Sequence, residues 1–227
     1  MIKVKKDQII ISIQKIIVTI IWFFTIFILL MTTFNIIYIR TPVVGFSMQP
    51  TLNATVDDPN EKGDYVYINR FFLGQKNDIV VADVSWNSQY IIKRIVATAE
   101  DKLKIYREED TLYLLVNSDI FYTRSISDTV GDENYGNRNT YENFLDYKDN
   151  NPERFDENGF LVLTENELYI LGDNWAESYD CSSEGPIQRD DLIGRVDIVI
   201  KREDSIYVKL LEKLFDVFKI SKYIKIN

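Results

Sequence analysis

The stretch Tyr90-Ile91-Ile92-Lys93-Arg94-Ile95-Val96-Ala97 decides the class of fold. In an extended chain Ile91, Lys93 and Ile95 share one face, and Ile92, Arg94 and Val96 share the other. Both faces are largely apolar, so the segment reads as a strand inside a sheet, covered on both sides. Working outward, residues 65–68, 78–84, 102–106, 112–116, 160–163, 168–171 and 196–201 show similar alternation and β-branched content. Short strands separated by Gly, Asn and Asp predict a mainly β domain, built as sheets or a barrel.

Upstream of these strands, residues 16–39 carry no charge and are nearly all apolar. A helix of that length, about 36 Å at 1.5 Å per residue, spans a hydrocarbon core of about 30 Å with modest tilt. Tyr38 and Arg40 suit the far interface. Lys3, Lys5, Lys6 and Lys15 against Asp7 predict a cytoplasmic N-terminus for residues 1–15 and an extracytoplasmic domain over 40–204. A cleaved secretory signal would have a shorter apolar core and a small-x-small site. Residues 31–35 offer only a poor one and the apolar run then resumes, so a retained anchor is the expectation.

Two segments stand apart from the strand pattern. Residues 124–159 are rich in Asp, Glu, Asn and Tyr with little periodicity, and read as an acidic surface insertion or extended loop. Residues 205–227 repeat apolar side chains at helical spacing between charges. They read as an amphipathic C-terminal helix that packs on the domain or lies on a membrane surface.

Composition excludes several classes of chemistry. The chain has 227 residues, a formal net charge of −9, one cysteine and no histidine. Cys181 therefore has no intrachain disulfide partner, and a zinc site of the usual kind lacks ligands. No basic cluster outside the N-terminus is dense enough for a nucleic-acid groove. A Ser-His-Asp triad is impossible within the chain. A catalytic serine would need a carboxylate or a lysine as its base.

Ser47, in Gly45-Phe46-Ser47-Met48-Gln49-Pro50-Thr51-Leu52, lies just beyond the apolar span. Gly45 permits close backbone approach and Pro50 stiffens the exit from the turn. The Ser47 N–H is a candidate oxyanion donor. Lys93 is the lysine candidate. Its ordinary pKa, near 10.4, keeps it protonated at neutral pH, and burial in an internal strand would lower that value.

Ser47-Met48-Gln49-Pro50-Thr51-Leu52 resembles the nucleophile box of type I signal peptidases, the membrane-bound Ser-Lys proteases of bacteria. Gly63-Asp64-Tyr65-Val66, Asn77-Asp78-Ile79-Val80-Val81, Lys93-Arg94-Ile95-Val96 and Gly172-Asp173-Asn174 with Ser178, Asp180 and Gly185-Pro186-Ile187 are similar to the family's other boxes, in order. The resemblance implies a signal-peptidase-like β catalytic domain behind one transmembrane helix. It implies Ser47 as nucleophile, Lys93 as general base, and Asp173 and Asp180 as bracing carboxylates. Ser178 would orient the lysine amine and Arg94 would make a structural ion pair. Gly45 stands where some relatives carry a second oxyanion donor, and Met48 belongs to the same supporting group. Neither cofactor nor metal is implied. The implied partners are preprotein signal peptides at the membrane surface and the lipid bilayer, with shallow pockets that select small side chains.

Three departures qualify the resemblance. Trp175 replaces an arginine of the family, Cys181-Ser182 replaces Ser-Arg, and the turn over residues 97–101 lacks two glycines and a proline. The bracing carboxylates thus lose expected arginine partners, which is costly if they are buried. This leaves a second reading open. The chain would be a specialised assembly factor that binds a precursor, such as a pilus or surface-protein subunit, without obligatory cleavage.

Overall fold

The computed structural model describes residues 2–53, 63–72, 74–129 and 139–201. The amphipathic segment expected at 205–227 lies outside the described residues. Helix α1 (Ile2–Ile37) comes first. Its stretch Ile11–Ile37 is long and apolar enough to cross a membrane, with a mean hydropathy of 2.5 in its best window and none of that window buried. The helix stops two residues before the predicted end of the span. Tyr38 and Ile39 instead open strand β1 (Tyr38–Pro42), where their backbone groups pair with β2 (Tyr65–Asn69).

Two sheets follow. The larger has seven strands in the order β1-β2-β11-β3-β4-β9-β10. It adds β3 (Ile79–Ala82), β4 (Ile91–Ala97), β9 (Glu167–Leu171), β10 (Ile187–Gln188) and β11 (Leu192–Ile200). The smaller has four strands in the order β7-β6-β5-β8, from β5 (Lys102–Glu108), β6 (Thr111–Val116), β7 (Asp119–Ser125) and β8 (Leu161–Val162). Strands β1, β7 and β10 went unread in the sequence. β1 hides in the tail of the apolar run, β7 is mostly solvent-facing, and β10 has only two residues.

The internal position of β4 agrees with the sequence. It lies between β3 and β9, and every residue but Arg94 is buried. Its residues feed two cores. Ile91 and Ile95 join the main core, which includes residues of both sheets, while Ile92 joins a smaller core with Val43, Met48, Leu52, Val66 and Ile68.

Residues 124–159 are not simply an extended loop. They contain helix α2 (Thr140–Asn150), capped by Asn139, whose side chain accepts from the N–H groups of Tyr141 at 2.9 Å and Glu142 at 3.1 Å. Phe144 is 1% exposed in the main core, and its ring meets Phe155 edge-on at 5.6 Å. The apolar stripe is a single turn or so wide in an acidic helix, too short for periodicity to stand out.

Candidate active site

Ser47 lies in a turn between β1 and β2, and several contacts fix that turn. Gly45, at φ 85°, takes a left-handed conformation that glycine adopts freely. Gln49 N–H donates to Phe46 O at 3.0 Å and Leu52 N–H to Met48 O at 2.9 Å. Met48 and Leu52, each 1% exposed, anchor the turn in the smaller core. Asp64 ties its two ends together. Val43 N–H donates to Asp64 O at 2.9 Å, Asn53 N–H donates to Asp64 Oδ2 at 2.8 Å, and Asp64 N–H donates to Asn53 O at 2.9 Å. Lys201, at the end of β11, donates to Asp64 Oδ2 at 3.0 Å and to the Thr51 carbonyl.

The other reactive group comes from β4. Lys93 Nζ lies 2.6 Å from Ser47 Oγ and 3.2 Å from Ile92 O. Lys93 is 2% exposed and Ser47 9%. Burial pulls the Lys93 pKa down from 10.5 to about 8, against the opposing pull of Asp180 and Asp173. When the amine is neutral, the Ser47 hydroxyl can donate to its lone pair. That is the starting geometry for proton abstraction.

A third segment closes around this pair. Asn174 N–H donates to Ser47 O at 2.9 Å, and Asn174 Nδ2 donates to Phe46 O at 3.2 Å. Gly172 is needed for close approach, since a Cβ there would lie 2.2 Å from Ser178 Oγ and 2.5 Å from Ser47 O. Ser178 Oγ donates to Asp180 rather than to Lys93, although Ser178 and Lys93 line the same cleft. Ser178 is therefore linked to the amine through a shared wall, not by a direct hydrogen bond.

Asp173 and Asp180, expected to brace the site, have partners other than the missing arginines. Arg94 Nε donates to Asp173 Oδ1 at 2.8 Å and Arg94 Nη2 to Asp173 Oδ2 at 2.6 Å, a bidentate pair. Asp180 is completely buried. It accepts from Gly172 N–H at 2.9 Å, Ser182 N–H at 3.0 Å, Ser182 Oγ at 2.8 Å and Ser178 Oγ. Those donors replace an arginine. Neither carboxylate is left unpaired by the missing arginines, and hydrogen bonds to the charged form favour it. Trp175 is a core residue, 2% exposed, and its carbonyl accepts from Thr140 N–H of α2 at 3.0 Å. Burial raises the Cys181 thiol far above its usual range, which leaves it an inert neighbour.

The pair opens into a cleft of about 430 Å³ lined by Gly45, Phe46, Ile91, Ala176 and Tyr179, with Asn87 and Glu177 as polar walls. Asn87, Ala176, Glu177 and Tyr179 carry no motif signal in the sequence; only the fold brings them to the pair. The Ser47 N–H has no acceptor among the described residues and is available to a ligand oxygen. The structure therefore assembles a buried serine, a lysine of depressed basicity, an open N–H donor and a cleft, which is the equipment of nucleophilic acyl transfer.

The profile of the signal peptidase family, peptidase S26, matches residues 13–201, and the chain belongs to that family. No curated protein matches it. Among solved structures, the signal peptidase I of Enterococcus faecalis V583 is 21% identical over 54% of this chain and 96% of that one, with a TM-score of 0.33.

Proposed function

We propose that this chain is a membrane-anchored Ser-Lys endopeptidase that removes N-terminal signal peptides from exported preproteins. The observation that carries the reading is the 2.6 Å contact between Lys93 Nζ and Ser47 Oγ in a buried site. Ser47 Oγ attacks the scissile carbonyl while neutral Lys93 takes the hydroxyl proton. The Ser47 N–H, with whatever second donor the substrate complex supplies, stabilises the oxyanion. Lys93 then passes its proton to the leaving amine, which departs as the mature N-terminus and leaves a Ser47 ester. Water gives a proton to Lys93 and attacks the ester. Collapse releases the signal-peptide carboxylate and returns the proton to Ser47 Oγ. Asp173, Asp180, Arg94, Ser178, Gly45 and Met48 act as supports, by the contacts given above.

Register supports a site close to the membrane. Tyr38 pairs with Asn69, Asn69 with Arg195, Arg195 with Val80, and Val80 with Lys93. The lysine thus shares one transverse row with the first residue after the helix, roughly 19 Å away at about 4.8 Å per strand. Four antiparallel steps make β4 parallel to β1, so Ile91 and Asn87 of the cleft lie toward the end of the sheet from which α1 departs. A substrate held in the bilayer by its own apolar segment would meet the cleft there. The lysines before the span would keep the N-terminus cytoplasmic and the catalytic domain outside.

The test is cleavage of preproteins by the full-length protein in detergent, beside Ser47→Ala and Lys93→Ala. Cleavage after a small-x-small site by the unchanged protein alone is expected. Processing retained in either variant would sink the reading. Failure of all three, with precursor still bound, would favour the assembly-factor alternative.

A further inference from the structure

One side chain belongs to two cavities of similar size. The cleft at Ser47 and Lys93 occupies about 430 Å³. A second cavity, of about 450 Å³, is lined by α2 and by the short helix α3 (Cys181–Glu184). Tyr179 lines both. Its ring meets Trp86 edge-on, with centroids 5.2 Å apart, and Trp86 adjoins Asn87 of the cleft wall. At its far end the Tyr179 hydroxyl donates to Glu184 Oε1, in the second cavity. The ring is thus held from the cleft side by an aromatic pair and from the other by a charge-assisted hydrogen bond.

The cavities differ in chemistry. Apart from Asn87 and Glu177, the cleft offers a potential side chain of a substrate mainly Phe46, Ile91, Ala176 and the Tyr179 ring. The second cavity offers Asn143, Asp146, Asn150, Asn151 and Glu184, with no cation in its lining. Lys148, the one cation of α2, faces the Phe155 ring at 5.8 Å instead. Asn143 Nδ2 and Ser183 Oγ are buried with no hydrogen-bond partner among the described residues. Such a lining suits a long amide or cationic side chain and is a poor host for an apolar one.

We propose that Tyr179 is a specificity-determining residue: its ring closes the polar cavity off from the cleft and denies long amide and cationic side chains of a precursor a place beside Ser47. This rests on the peptidase reading of the cleft. With the ring in place, a lysine or glutamine side chain pressed against that wall loses water and gains no partner. A small side chain ends short of the ring and loses nothing. Without the ring, the same lysine reaches the carboxylates of Asp146 and Glu184.

The experiment compares the full-length protein in detergent with Tyr179→Phe and Tyr179→Ala. The substrates are peptides spanning one cleavage site, with Ala, Leu, Gln or Lys placed in turn at each position near the scissile bond. We expect Tyr179→Ala to raise kcat/KM for Lys and Gln at one position by roughly tenfold relative to Ala, and for Leu much less. Tyr179→Phe keeps the partition and should keep the selectivity of the unchanged protein. Adding Asp146→Asn and Glu184→Gln to Tyr179→Ala should remove the lysine gain, whereas adding Glu177→Gln should not. Equal gains for Leu and Lys would show a merely loosened cleft and overturn the proposal, as would no gain at any position. If no version cleaves, the peptidase reading fails by itself, and the same peptides are titrated by fluorescence anisotropy against Ser47→Ala with and without Tyr179→Ala. A gain in affinity confined to Lys and Gln peptides would keep the partition, and its absence would overturn it.

Discussion

Lys93 holds its amine in a place where a charge is unwelcome. A lysine whose folded pKa falls from 10.5 to about 8 binds its proton less well folded than unfolded. Stability therefore rises with pH between about 8 and 10.5, and below 8 the burden is fully present, at roughly 3 kcal/mol for a shift of that size. Two outcomes are expected. The kcat/KM profile should climb through about pH 8 as the amine becomes neutral, measured on a peptide substrate in detergent. Lys93→Met should abolish cleavage yet unfold at higher denaturant at pH 7, with the advantage fading above pH 10. A less stable Lys93→Met at pH 7 would show that the amine is not strained by burial. Arg94 has the opposite character. Its bidentate pair with Asp173 is mostly buried, with side-chain exposures of 14% and 6%. Arg94→Met leaves that carboxylate unpaired and should cost about 3–5 kcal/mol by chemical denaturation.

Between elements, the Ser47 turn is held from three sides: the smaller core, the Gly172-Asp173-Asn174 segment and the Asp64–Lys201 pair. Gly172→Ala places a methyl against Ser47 O and Ser178 Oγ, and neither can yield without moving the turn or unpairing Asp180. Cleavage should fall by at least tenfold in kcat with KM little changed. Lys201→Met removes the donor to Thr51 O and the Lys201 ion pair of the buried Asp64 carboxylate. Lys201 is 43% exposed, so solvent softens the loss to roughly 1–3 kcal/mol. Phe144→Ala should cost about 3–5 kcal/mol, read by thermal unfolding, because α2 is docked through that ring. These elements differ in how they could be read. β4 was legible because an unbroken apolar run with two charges must be covered on both faces. α2 was not, since one buried ring among carboxylates leaves no repeating pattern.

At the level of the whole molecule, an acidic domain follows an apolar helix, and Ile91 of its candidate cleft lies toward the helix end of the sheet. The formal charge of −9 gives no attraction to anionic lipid, so any membrane contact rests on the apolar helix. If the positive flank sets orientation, protease added outside intact cells should digest the chain from about residue 40 onward, unless the fold resists cutting. Digestion only after the membrane is broken would reverse the orientation.

The sequence by itself determined the classes available. The uncharged run prescribed a helix able to cross a membrane, the alternation prescribed a mainly β domain, and the lack of histidine narrowed the bases open to Ser47. The ordered motifs named the residues worth watching, among them Asp173 and Asp180. Their surroundings were decided only by tertiary structure. Asp180 is satisfied by Gly172, Ser178 and Ser182, Asp173 by Arg94 from a different strand, and the Ser47 turn by Lys201, which lies 154 positions away in the chain. Pattern reports which face of an element is apolar, because that is a property of neighbours along the chain. Hydrogen bonding and burial depend on groups that meet through space, and those meetings are set by the order and register in which the strands pair.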